Sequence, residues 1–186
     1  NVRMGFDIET TNIDEEHAYL WQWKMAINED VIEGRSWEEF IELLDLIKKV
    51  FSPLKNQRVL CFIHNEGFEF QFMRKWLKID GEYDTFFKEE RKPCFVTHDG
   101  FIIFQDSMLM SNSKLVKLAN DYTNTQKAIG DLDYNIVRNY KYAETNKEGK
   151  YSDNDVLILS EFAGYYINEY MKKGFRPLTK TSALTR

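Results

Sequence analysis

The chain opens Asn1-Val2-Arg3-Met4-Gly5-Phe6-Asp7-Ile8-Glu9-Thr10-Thr11-Asn12, and the reading of this stretch decides the rest. Val2, Met4, Phe6 and Ile8 recur at every second position, the pattern of a strand with one apolar face. Asp7 and Glu9 are also two apart, so a strand puts both on its other face. Two anions side by side repel, and a cation between them removes that cost; hard divalent ions prefer carboxylate oxygens. A strand running out into a polar turn, Glu9 to Glu16, with its acids solvated, explains the same residues. Partners further along the chain have to decide.

With 186 residues the chain is long enough to bury a core as one globular domain, and its 15% aromatic and 30% charged residues suit a folded soluble protein. The net charge of -5 argues against a protein that grips duplex DNA by phosphate neutralisation alone, but not against an enzyme that holds a few nucleotides through metals. Cys61 and Cys94 lie in apolar segments with no disulfide or zinc spacing, which fits a reducing, intracellular setting. No apolar run reaches the length of a membrane span, and no signal peptide is evident. The first residue is not Met and the last ones, KTSALTR, carry no obvious stop, so both ends are expected to be cut from something longer.

Along the chain, His17 to Ile27 and Asp30 to Gly34 read as two more strands of an antiparallel meander. Ser36 with Glu39 forms a capping-box pattern before a helix that Pro53 stops. Arg58 to Ile63 is an almost wholly apolar run, as in a strand buried on both faces, and Phe68 to Leu77 is expected to be helical. Phe95 to His98 and Phe101 to Gln105 flank Asp99-Gly100, a strong hairpin signal. Lys114 to Tyr122 is a short helix, and a long one is expected from Ser152 to about Lys173, with Gly174 its cap and Pro177 barring continuation.

Two further clusters carry chemistry. In His64-Asn65-Glu66-Gly67-Phe68-Glu69 an acid and two groups suited to a nucleotide follow a buried strand; equally, the acids favour a helix start, Phe68 and Phe72 belong to the core, and His64 is a hydrogen-bonded structural residue. Tyr151 and Asp155 are four apart, one turn from each other on a helix, while Ser152 with Asp155 also reads as a cap.

Asp-x-Glu at the end of the first strand, Asn-x-x-Phe-acid after a central one and Tyr-x-x-x-Asp in a late helix resemble, in that order, the three motifs of DEDD-type 3′–5′ exonucleases of the Tyr subgroup. The chain resembles in particular the proofreading domain of protein-primed family B DNA polymerases of small bacteriophages, through Asp7 to Thr10, His64 to Glu69, Asp106-Ser107, Gly130-Asp131-Leu132-Asp133-Tyr134, Tyr151 to Asp155 and the final TKTSALTR. That resemblance implies an α/β, ribonuclease H-like fold, a mixed central sheet flanked by helices. It implies an exonuclease domain over residues 1–174 and, from 175 to 186, the start of a connection to a polymerase domain.

By the same resemblance Asp7, Glu9, Glu69 and Asp155 surround two divalent ions, Mg²⁺ or Mn²⁺, and Tyr151 orients the attacking water. Thr10, His64, Asn65, Phe68, Phe72 and Ser107 match positions that hold single-stranded DNA or the terminal protein. The implied setting is cytoplasmic, that of the host cell for a viral enzyme. Glu69 stands where the family has Asp, and Ile129 where it has Lys, with Lys127 nearby but out of register. Both departures touch catalysis, so a domain of this fold that only binds single-stranded DNA or terminal protein is the alternative. A free-standing exonuclease acting on RNA is a third reading, against which the family B-like details stand.

Overall fold

The computed structural model describes residues 2–14, 16–52, 58–79, 81, 84–89, 92–129, 132–133 and 135–184. Strand β1 (Met4–Asn12) pairs antiparallel with β2 (Ala18–Ile27), and β2 antiparallel with β3 (Asp30–Gly34), the expected meander. On its other side β1 runs parallel to β4 (Val59–Ile63), and β4 parallel to β7 (Ile102–Asp106). Strand β6 (Lys92–His98) pairs antiparallel with β7, and β5 (Thr85–Glu89) lies outside it, which gives a seven-stranded mixed sheet of order β3-β2-β1-β4-β7-β6-β5. The β6–β7 turn is the expected Asp99-Gly100, both left-handed with φ of 50° and 62°, as a tight hairpin requires. Strand β5 has no counterpart in the sequence expectations.

Alternation along β1 assigns its two faces. Met4, Phe6 and Ile8 join Trp23 and Met25 against Phe40, Leu44 and Ile47 of helix α1 (Trp37–Phe51), with the rings of Phe6 and Phe40 centred 4.6 Å apart. The capping box of α1 is the expected one, Ser36 Oγ accepting the Glu39 N–H while the Glu39 carboxylate accepts that of Ser36. Pro53, the expected stop, lies outside the described residues, and Ser52 is the last residue before it to accept the role of cap.

The opposite face of the sheet is covered by helix α5 (Asn146–Glu169), whose Ile158, Leu159, Phe162, Ala163 and Tyr166 pack on Leu60, Phe62 and Ile103. Gly5 makes the approach close: a Cβ there would lie 2.3 Å from the Val156 carbonyl oxygen and 2.6 Å from Leu159 Cβ. Helix α5 begins six residues before the expected Ser152. Thr145 Oγ1 accepts the Glu148 N–H, and the Glu148 carboxylate returns to the Thr145 N–H, a second capping box. Ser152 lies inside the helix, its hydroxyl bonded back to the Glu148 carbonyl, so its pairing with Asp155 is not a cap. The helix gives way after Glu169 to a 3₁₀ turn closed by left-handed Gly174, close to the expected end.

The described residues also form four shorter helices, α2 (Glu66–Met73), which ends before the expected Leu77, α3 (Ser107–Ser111), α4 (Leu115–Tyr122) and α6 (Lys180–Leu184). Beyond Gly174 the chain stays attached, since Tyr166 Oη donates to the Pro177 carbonyl at 2.7 Å and the Arg176 guanidinium lies over the Phe95 ring. Among the described residues no helix is long and apolar enough to cross a membrane.

Candidate active site

Because Met4, Phe6 and Ile8 face α1, Gly5, Asp7 and Glu9 face α5, and the close approach at Gly5 brings Asp155 over them. Glu69 arrives from the first turn of α2. The electrostatics follow from this crowding of four acids. Burial, reinforced by the Asp155 charge, pushes the Asp7 carboxyl up to about 7. Burial together with Asp7 and Asp155 pushes Glu9 up to about 9. Glu69 goes well above the carboxylate range, through burial and then Asp7, to which it is hydrogen-bonded. Its Oε2 has no bonding partner. Asp155 is raised by burial and held down by Lys127.

Lys127 is a cation at this cluster that the spacing of the motifs does not reveal. Its Nζ donates to both oxygens of Asp155, at 2.8 and 2.6 Å, and to Tyr151 Oη at 3.1 Å, and it sits 4.1 Å from the centre of the Tyr151 ring. Tyr151 and Asp155, one turn apart on α5, thus share a partner. Burial raises the Tyr151 phenol above its usual value, so it stays a neutral hydroxyl. Ile129, in the register position of the missing lysine, is 97% exposed and does not enter the site.

The turn after β4 is organised from β7. Asp106 caps α3, accepting the Met108 and Leu109 N–H groups, and its other oxygen accepts the Glu66 N–H at 3.1 Å. Asn65 is left-handed at φ 69°, and its side chain is exposed and makes no cap hydrogen bond. Phe68 is 43% exposed and half-buried Phe72 lies against it, ring centres 5.2 Å apart; Phe70 and Met73 are the core residues of this helix. His64 Nδ1 is 2.9 Å from the Ser107 hydroxyl, and burial, with the Lys127 charge, lowers its pKa to about 4, so the ring is neutral. Ser107 is fully buried in that pair, whereas Thr10 is partly exposed on β1.

Three more charged residues are given no role by the sequence. Arg138, 2% exposed, donates to Glu148 of the α5 cap and to the Asp133 carbonyl, and its backbone N–H bonds Thr11 Oγ1, which ties the segment before α5 to β1. Lys24, opposite Asp7 on β2, reaches Asp153 and Glu144. Glu66 is fully buried with neither carboxylate oxygen bonded. Of the expected Gly-Asp-Leu-Asp-Tyr segment, Leu132 is buried, while Gly130, Asp131 and Tyr134 lie outside the described residues.

The donor set suits a hard divalent ion, being all carboxylate, mutually repelling and equipped with an unpartnered oxygen on Glu69. As the side chains stand, no three His, Cys, Asp or Glu residues among the described ones converge to hold an ion, and both oxygens of Asp155 go to Lys127.

No protein-family model matches the sequence, and no curated protein matches it. Solved structures do. The chain superposes with a TM-score of 0.68 and 21% identity on phi29 DNA polymerase complexed with single-stranded DNA, over 95% of this chain and 33% of that one. The ternary complex of phi29 DNA polymerase with primer-template DNA and incoming nucleotide gives a TM-score of 0.71 at 18% identity, over 96% and 32%. The orthorhombic crystal form of phi29 DNA polymerase gives 0.68 at 23%, over 98% and 33%. The chain spans about a third of the length of the structures it matches. The fold is the ribonuclease H-like one expected.

Proposed function

We propose that this chain, which shares its fold with a third of phi29 DNA polymerase, is a 3′–5′ exonuclease domain that removes nucleotides from single-stranded DNA ends, the proofreading part of a protein-primed DNA polymerase. The observation that carries the proposal is that Asp7, Glu9, Glu69 and Asp155 lie close enough to shift one another's protonation, with Tyr151 one turn from Asp155 on α5. Its partners on this reading are a 3′ DNA end, the polymerase domain and the terminal protein, in the cytoplasm. That phi29 DNA polymerase has been captured with single-stranded and with primer-template DNA supports the choice of substrate.

Asp7, Glu9 and Asp155, with Glu69 from the other side, would hold the divalent ions, Mg²⁺ or Mn²⁺. Such ions, when bound, supply a hydroxide at neutral pH and neutralise charge on the leaving oxygen. Tyr151, a phenol with a raised pKa, is no general base; its hydroxyl orients the attacking water. Phe68, exposed one residue before Glu69, offers a face on which a terminal base stacks, and the uncapped Asn65 side chain offers it a hydrogen bond. Stacking accepts any base, as proofreading requires.

The test is release of mononucleotides from a 5′-labelled single-stranded oligonucleotide with Mg²⁺ or Mn²⁺, in the parent and in Asp7→Ala. Hydrolysis by the parent alone is expected. A second reading, a domain that binds single-stranded DNA or terminal protein without cutting, is favoured by the bonding of both Asp155 oxygens to Lys127. Binding of the oligonucleotide with no hydrolysis in either metal would decide for it.

A further inference from the structure

We infer that Lys127 is a tethered counter-cation which occupies Asp155 while no metal is bound, so that a divalent ion enters the site only by displacing its ammonium group. The inference rests on the proposed reading of the acids as a metal site and adds that the chain carries its own competitor for that site.

Lys127 is not a surface lysine that happens to lean on an acid. The segment before it is fastened along α5: the Glu161 carboxylate accepts the N–H groups of Asn124 and Thr125, and Asn154 Nδ2 donates to the Gln126 carbonyl at 2.7 Å. The backbone of Lys127 is thereby fixed beside the turn that carries Tyr151 and Asp155. Its ammonium meets both Asp155 oxygens and the Tyr151 hydroxyl, three acceptors for three donor hydrogens. Both Asp155 oxygens are thus already engaged by a cation, and among the described residues the acids do not form a ready cage.

Release needs only rotation of the lysine side chain, since its anchors lie on the backbone of neighbouring residues and on α5. An ion that binds Asp155 has to break three hydrogen bonds and then sit beside a positive charge. Both effects weaken binding, and the second persists wherever the flexible stem comes to rest.

The experiment is calorimetric titration of Mn²⁺ into the parent, Lys127→Ala and Lys127→Met, each first shown to be folded by its thermal melt. Both variants should bind Mn²⁺ about tenfold more tightly or better, the size expected when a unit charge is removed a few ångströms from a divalent ion. With Asp155→Ala in the background, removal of Lys127 should leave a smaller gain. Nitrogen NMR of the Lys127 ammonium in the parent, titrated with Mg²⁺, should show its hydrogen-bonded signal lost as metal is added. If the parent binds Mn²⁺ and the variants bind it equally or more weakly, the inference is wrong and the metal reading survives. If neither parent nor variants bind, both fall together.

Discussion

Lys24 Nζ lies 2.6 Å from Asp153 Oδ1, a bond between the middle of β2 and the third turn of α5, and the same ammonium reaches Glu144 at 3.1 Å and Glu33 at 3.3 Å. Its side chain is 3% exposed, and its pKa is raised, burial being outweighed by the hydrogen bonds it donates to Asp153 and Glu144. Asp153 sits between Tyr151 and Asp155, so this lysine also fixes where α5 presents them.

Lys24→Met keeps the length of the stem and leaves three acids unneutralised. The expected loss of stability is about 1–3 kcal/mol, below the ~3–5 of a fully buried pair because Glu33 and Asp153 are half-exposed and rehydrate. Urea melts measure it. Lys24→Arg should recover part of the loss, and an unchanged midpoint in Lys24→Met would show that the cluster holds nothing together.

Glu66 gives a pH-dependent prediction. Burial, then Asp106 and Glu69, hold its pKa well above the carboxylate range, and neither oxygen is bonded. A group whose folded pKa exceeds its unfolded one supports the fold fully below the unfolded value, about pH 4, and that support is lost as pH rises through the folded value. Glu66→Met, similar in volume, has no such loss. At neutral pH it should be more stable than the parent by about 1–3 kcal/mol. The gap should close toward pH ~4, and melts at several pH values that show a constant gap would refute this.

Phe68→Ala and Phe70→Ala separate surface from core. Phe68, 43% exposed, should cost less than about 1 kcal/mol in stability when truncated but about 1–3 kcal/mol in affinity for a single-stranded oligonucleotide. Phe70, 9% exposed and packed in the core, should cost about 3–5 kcal/mol in stability at unchanged affinity per folded molecule. Paired melts and binding curves distinguish them.

Glu69→Asp draws the carboxyl back from Asp7 by one methylene. At its present length Glu69 interacts with Asp7, and a misplacement of about 1 Å in an aligned site can cost on the order of a hundredfold in rate. Turnover should fall in both Mg²⁺ and Mn²⁺. A rise in either metal would mean that the longer side chain is the defect.

Local patterns carried much of this architecture in the sequence. Alternation in β1 placed Asp7 and Glu9 on one face, Asp99-Gly100 placed the hairpin, and Ser36 with Glu39 placed the start of α1. The start of α5 was hidden because two cap-like pairs compete, Thr145 with Glu148 and Ser152 with Asp155, and long-range bonds from Arg138 to Glu148 select the first. Lys127 stood out only as a lysine out of register, and nothing local ties it to its partners, which are 24 and 28 residues away. Lys24 did leave a local signal, a lone charge in the otherwise apolar run Trp23 to Ile27, a position that calls for acids on a covering element.

Gly5 acts as the shim that sets how far α5 stands from β1. Nothing chemical happens at this residue, yet a single methyl group there would stand 2.3 Å from the Val156 carbonyl and force α5 off the strand. Asp7 and Glu9 would stay with β1 while Asp155 and Tyr151 rode away on the helix, so the acids would be parted with every charge still in place. The gap between them is thus a mechanical setting that can be tuned from underneath, and a graded series of spacers at Gly5 would make reactivity a readout of distance alone.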